Sequence, residues 1–185
     1  MKQALLTILI FLLPLSFLAA QGGKVFITNS GKIAFQSDAP YELIKASSNN
    51  LSGALDVAKK EFAFKVRVET FEGFNSALQR EHFNENYMES NKFPEARFAG
   101  KIIEDVNLLQ DGHFSVRAKG ILTVHGVPQE RIIKSDLTIK DGKAHIKSEF
   151  TVLLSDHNIP IPKVVKDKLA SEIKVEVNCQ LQPRQ

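Results

Sequence analysis

Apolar and polar residues alternate one for one along several stretches of the chain. Phe62, Phe64, Val66 and Val68 interleave with Lys65 and Arg67, and Phe114, Val116 and Ala118 with His113, Ser115 and Arg117. Ala144, Ile146, Ser148, Phe150 and Val152 do the same against Lys143, His145, Lys147, Glu149 and Thr151. The chain closes on Ile173, Val175, Val177, Cys179 and Leu181, set against Lys174, Glu176, Asn178 and Gln180. A period of two puts alternate side chains on opposite faces of a strand, so each stretch predicts a β-strand with one buried face. Such strands belong to antiparallel sheets that are solvated on one side.

Turn residues fall between these runs. Asn29-Ser30-Gly31 separates residues 24–28 from 32–37, and Asp111-Gly112 and Asp141-Gly142 tolerate positive φ between strands. Gly126-Val127-Pro128 predicts a further turn between residues 120–125 and 130–139, with Pro128 unable to donate to a ladder. In all, the segments predict eight to ten strands. Two places break the pattern. Residues 75–88 carry apolar side chains at helical spacing and predict one or two short helices, and residues 162–172 predict a turn or two of helix before the last strand. Both are placed to cap or plug a barrel.

A sheet of this many strands must bury its apolar face against a second sheet or by closing on itself. The length of the 144–154 strand favours closure, and about eight strands enclose an interior just wide enough for side chains or one slender ligand. Periodicity alone leaves open whether such a barrel is filled or hollow. Thirteen Phe and no Trp supply an apolar lining with few polar groups.

Composition narrows the functional classes. Met1-Lys2-Gln3, the apolar residues 4–18 and the pair Ala19-Ala20 read as a secretory signal, with the mature chain starting near Gln21. The run is shorter than the roughly 20 residues of a membrane-spanning helix, and Pro14 interrupts it. No Cys follows that run to carry a lipid. The remainder is sized for one domain, residues 21–185. The formal net charge of +3 on the whole chain becomes +2 without Lys2, a mixed surface that argues against nucleic acid as a partner. Cys179 is the single cysteine, so no internal disulfide can form, and its place in the alternation makes it a small buried hydrophobe.

Catalytic constellations are sparse. His82, His113, His125, His145 and His157 are scattered. Glu81, His82, Glu85 and Glu89 fall within two turns of one helix, a spacing open to a metal, but acidic residues near a helix start more often form a solvated face. Asp156-His157 has no Ser or Cys nucleophile in a motif beside it. The expectation is a protein that is not an enzyme and holds no metal or cofactor.

Residues 81–90 (EHFNENYMES), 92–102 (KFPEARFAGKI) and 118–127 (AKGILTVHGV) resemble, in order and spacing, the YceI-like proteins of bacteria. Residues 31–37 (GKIAFQS) and 51–56 (LSGALD) fit the N-terminal pattern of that family. Residues 150–162 (FTVLLSDHNIPIP) depart from it, replacing a basic and aromatic segment common near the family's end. The resemblance implies an all-β fold, an eight-stranded antiparallel lipocalin-like barrel exported to the periplasm or secreted. It also implies an elongated apolar tunnel that holds an isoprenoid chain, such as a polyprenyl lipid or quinone tail, for transport or storage.

Within that frame the alternation nominates Phe64, Val66, Phe98, Phe114, Val116, Leu122, Val124 and Phe150 as the tunnel lining. Phe83, Tyr87 and Met88 form the lid, with Asn84, Asn86 and Tyr87 as hydrogen-bond partners for a polar head at the mouth. The expected partner is an apolar lipid, with no nucleic acid, no stable membrane insertion after loss of residues 1–20, and a homodimer left open. The alternative is a solid barrel that acts through its surface on another envelope protein.

Overall fold

The computed structural model describes residues 25–184; the expected leader, residues 1–20, lies outside them. Eight strands follow in sequence: β1 (Val25–Ala39), β2 (Glu42–Asp56), β3 (Glu61–Arg67), β4 (Glu95–Ile102), β5 (Gly112–Val124), β6 (Val127–Lys140), β7 (Lys143–Leu153) and β8 (Glu172–Pro183). Each pairs antiparallel with the one before, and β8 returns to β1, so the sheet closes as a barrel. The alternation maps directly onto this ring. Phe62, Val66, Val116, Ala118, Ala144, Val152, Val175, Cys179 and Leu181 are buried inside, while Lys65, Arg67, Arg117, Lys147 and Lys174 face water.

The count of eight corrects the upper end of the expected range, because residues 24–28 and 32–37 are not two strands. Asn29-Ser30-Gly31 is a bulge inside β1, where the register shifts against both neighbours. Gly31 is buried there, and a Cβ on it would lie 2.6 Å from Cys179 Cβ, so the strand passes β8 only without a side chain.

Asp141 (φ 50°) and Gly142 (φ 72°) form the two-residue turn expected between β6 and β7. The β5–β6 turn is His125 (φ 50°) and Gly126 (φ 72°), one residue earlier than the expected Gly126-Val127-Pro128. Pro128 therefore lies within β6, opposite Thr123. Asp111-Gly112 is not a hairpin turn. Residues 103–111 form a longer loop, and Asp111 Oδ2 accepts the Asp141 N–H at 3.2 Å, pinning that loop to the β6–β7 turn. Leu108 of this loop is buried with Phe26, Val57, Ile139 and Leu181, which pack this end of the barrel solid.

The opposite end carries the inserted helices. Between β3 and β4, helix α1 (Ala77–His82) runs into a π-helical turn, Phe83–Tyr87. Ser76 caps α1 by accepting the Gln79 N–H at 3.1 Å, while the Gln79 side chain reaches back to the Asn75 N–H at 3.0 Å. The second expected helix is only a 3₁₀ turn, Lys163–Val165, preceded by another at Leu154–His157.

One joint in the wall is unlike the others. β6 and β7 pair only from Ser135↔Ser148 to Lys140↔Lys143, and beyond the serines they diverge towards the lid. Side chains bridge the gap instead. Arg131 Nη2 donates to Thr151 O at 2.7 Å, Gln129 Nε2 to Asp156 O at 2.7 Å, His157 Nδ1 to Val127 O at 3.0 Å and His125 Nδ1 to His157 O at 3.1 Å.

Gly100 and Gly120 face each other across β4 and β5, and a Cβ on Gly100 would lie 2.0 Å from Lys119 O and 2.5 Å from Gly120 Cα. Both contacts are backbone, which cannot swing away. Gly100→Ala is expected to lower stability by about 2–4 kcal/mol in urea titrations. Gly142→Ala, where the only obstacle is the positive φ, should lower it by about 1 kcal/mol.

Candidate functional site

The inward side chains do not fill the barrel. Two chambers lie inside it, an inner one of about 110 Å³ and an outer one, beneath the lid, of about 180 Å³. A single water needs roughly 10–15 Å³, so both are far larger than ordinary packing defects. Ile33, Val66, Ala96, Leu122 and Phe150 border both chambers, which lie end to end on either side of this shared waist of side chains. The solid end of the barrel lies past the inner chamber, and the helical insertion closes over the outer one.

The structure brings most of the nominated residues to this cavity. Phe64, Val66, Phe98, Val116, Leu122 and Phe150 line the inner chamber, and Val66, Leu122, Val124 and Phe150 the outer. Phe83, Tyr87 and Met88 border the outer chamber from the lid.

Three nominations require correction. Phe114 lines neither chamber: its ring folds back over Gly112 of its own strand, where a Cβ would lie 2.8 Å from the ring. Asn84 is turned into its own helix, with Nδ2 donating to Arg80 O at 2.9 Å, and its Oδ1 is buried without a partner. Asn86 is exposed and borders neither chamber.

The sequence reading missed the aromatic bed of the lid. Phe83 stacks on Phe35 (ring centroids 5.3 Å, 22°) and packs on Phe71 (5.9 Å) and Phe74 (5.1 Å). All four line the outer chamber. The signal was present in the alternation of Ile33, Phe35 and Ser37 along β1, and in the spacing of Phe71 and Phe74 just ahead of α1. Offset and edge-on ring pairs contribute about 0.5–1.5 kcal/mol each beyond the area they bury, which holds a short, otherwise exposed helix against the barrel mouth.

A polar latch fixes the far end of the lid. Glu89 follows Met88 directly, and its Oε2 lies 2.7 Å from His125 Nε2 in the β5–β6 turn. His125 Nδ1 lies 3.1 Å from the His157 carbonyl, so the one ring ties the lid to the 3₁₀ turn that follows β7. Phe93 packs edge-on against the His125 ring (4.7 Å) and occupies the space above Gly126.

Charge is kept out of the cavity. Lys65 and Arg97 border the inner chamber, but their exposed side chains meet Glu95 at 2.9 and 2.6 Å. Those bonds, the one from Lys65 foremost, hold the Glu95 carboxyl below the ordinary carboxylate range. No three His, Cys, Asp or Glu residues converge on a common point among the described residues.

A YceI-like domain model matches residues 27–181, which reach from the first strand to the last. The chain belongs to the YceI-like family. A UPF0312 protein of Pseudomonas fluorescens is 27% identical over 108 residues, 56% of this chain and 54% of that protein, so the chain spans about half the length of the curated relative it matches. Among solved structures, a polyisoprenoid binding domain from Saccharophagus degradans, implicated in plant cell wall breakdown, superposes with a TM-score of 0.71 at 11% identity, covering 88% of this chain and 99% of that one. BcnA of Burkholderia cenocepacia gives 0.67 at 13% identity, over 81% and 95% of the two chains. The YceI protein of Campylobacter jejuni gives 0.55 at 14%, over 100% and 99%. At these identities the likeness is one of fold.

Cys179 reports on the wall of this barrel. Burial pushes its thiol up to about 12, which leaves about one thiolate in ten thousand at pH 8. The native protein at pH 8 should not react with an aromatic disulfide reagent within an hour, whereas unfolded protein in urea should react stoichiometrically within minutes. Rapid native reaction would mean that β8 separates from its neighbours.

Proposed function

We propose that this protein is an exported, non-enzymatic carrier that holds an isoprenoid or other long apolar lipid, such as a polyprenyl lipid or quinone tail, along the barrel axis for transport or storage. The observation that carries this reading is the waisted apolar cavity, whose lining from β3, β4, β5 and β7 is almost wholly aliphatic and aromatic. An isoprenoid tail has no hydrogen-bonding groups, so its affinity comes from apolar area withdrawn from water, about 25 cal/mol per Å² before the ordering costs of binding. The polyisoprenoid-binding relative with the same barrel supports this cargo class. The leader read at residues 1–20 supports release into the periplasm or the medium. Tyr87, at the edge of the outer chamber, is the polar side chain best placed to meet a head group there.

Mass spectrometry of organic extracts from the purified protein tests this. A long apolar molecule, near one per chain and absent from a mock purification, is expected. Leu122→Asp, which puts a carboxylate at the waist, should cut retention at least tenfold, while Glu85→Ala on the exposed face of the lid should leave it unchanged. An empty extract with no uptake of added polyprenyl lipid or quinone, or full retention by folded Leu122→Asp protein, would overturn the proposal in favour of a barrel that works through its surface.

A further inference from the structure

The inner chamber contains one polar pair that the cargo reading does not use. Ser135 and Ser148 oppose each other on β6 and β7 at the last paired rung before those strands part, and both line the chamber. Their neighbours on the inward face are Ile133 and Leu137 on one strand and Ile146 and Phe150 on the other. Their Oγ atoms lie 2.6 Å apart, and neither makes another side-chain hydrogen bond among the described residues. A hydroxyl carries one hydrogen and two acceptor sites. One bond between two hydroxyls uses one of the two hydrogens, so the other O–H of this half-buried pair is left without an acceptor among the described residues, in a chamber lined almost wholly by apolar side chains.

We propose that this hydroxyl pair reads an uncharged hydrogen-bond acceptor, a carbonyl, ether or hydroxyl oxygen, at the buried end of the long apolar ligand. The inference rests on the cargo reading and extends it, since it assigns the inner end of the cavity to an oxygen-bearing terminus. The acceptor is uncharged because nothing in the chamber would neutralise an anion. Lys65 and Arg97, the cations at its border, are paired with Glu95 at the exposed surface. A neutral oxygen end therefore belongs between the serines.

The test uses farnesylacetone, an isoprenoid methyl ketone carrying ¹³C at its carbonyl, beside the matching hydrocarbon without the oxygen. In wild-type protein the bound ketone should show a carbonyl stretch below its position in hexane, the mark of an accepted hydrogen bond, and in S135A/S148A the stretch should return to the hexane value. The ratio of ketone to hydrocarbon affinity should fall about fivefold in S135A/S148A, in line with one lost hydrogen bond, and should be kept in S148T, which retains the hydroxyl. A hexane-like stretch in the wild type, or an unchanged ratio in S135A/S148A while the hydrocarbon still binds, would overturn the assignment and leave the cargo reading intact. Exclusion of both probes from the wild type would overturn the two together. A hexane-like stretch in the wild-type spectrum overturns the assignment without any variant having to fold, because it excludes a hydrogen bond to the ketone from any donor.

Discussion

The pairing of β1 with β8 is the constraint on which the rest of the molecule depends. Strands added by hairpins grow a sheet with two open edges and one long apolar face. The pairings from Lys32↔Asn178 to Gln36↔Lys174, together with Phe26↔Pro183 and Ile27↔Gln182, turn that sheet into a ring. Closure satisfies both edges and gives every inward side chain a common interior. The bulge at Gly31 belongs to the same joint. It lets the fifteen residues of β1 bend across β8, in contact with Cys179, without breaking into two strands.

Closure also explains how an apolar interior stays hollow. A barrel wall is spaced by ladder hydrogen bonds and cannot contract without breaking them. Three rings are seated against glycines. Phe64 lies over Gly53 of the neighbouring strand, Phe114 over Gly112 and Phe93 over Gly126, each filling the place of a missing Cβ. At the loop end, Leu108 and the side chains around it fill the interior, as a protein core ordinarily does. Hollow and solid regions therefore share one alternating pattern and differ in how their side chains are turned.

That difference marks the limit of what the sequence discloses. Period-two alternation is a property of faces, and faces were legible: the strands, the inward set around Val66, Val116 and Leu122, and the Asp141-Gly142 turn could all be read directly. Ring rotamers are not encoded in a period. Phe114 and Phe64 occupy equivalent inward positions in sequence, yet only Phe64 borders the cavity. Asn84 looked like a free polar group at the mouth, but a π-helical turn directs its amide to Arg80 O. The Asn29-Ser30-Gly31 bulge has the composition of a hairpin turn, and only pairing with β8 distinguishes the two.

The divergence of β6 from β7 shows how closure and function meet in one place. Over its lower half the joint is an ordinary ladder. Past Ser135 and Ser148 the main-chain bonds stop, and four side-chain bonds to carbonyls, from Arg131, Gln129, His157 and His125, hold the wall. Two of those residues reach further. His125 carries the latch to Glu89 at the end of the lid, and His157 sits between Leu154 and Ile159, both of which border the outer chamber. The wall, the lid and the chamber thus share a single set of polar contacts at the end of the barrel where the cavity lies. Side-chain bonds can be broken singly, whereas ladder bonds yield together, so local opening requires least at this end and most at the packed end. A barrel built in this way can open at the lid end while the pairing that defines its fold stays intact.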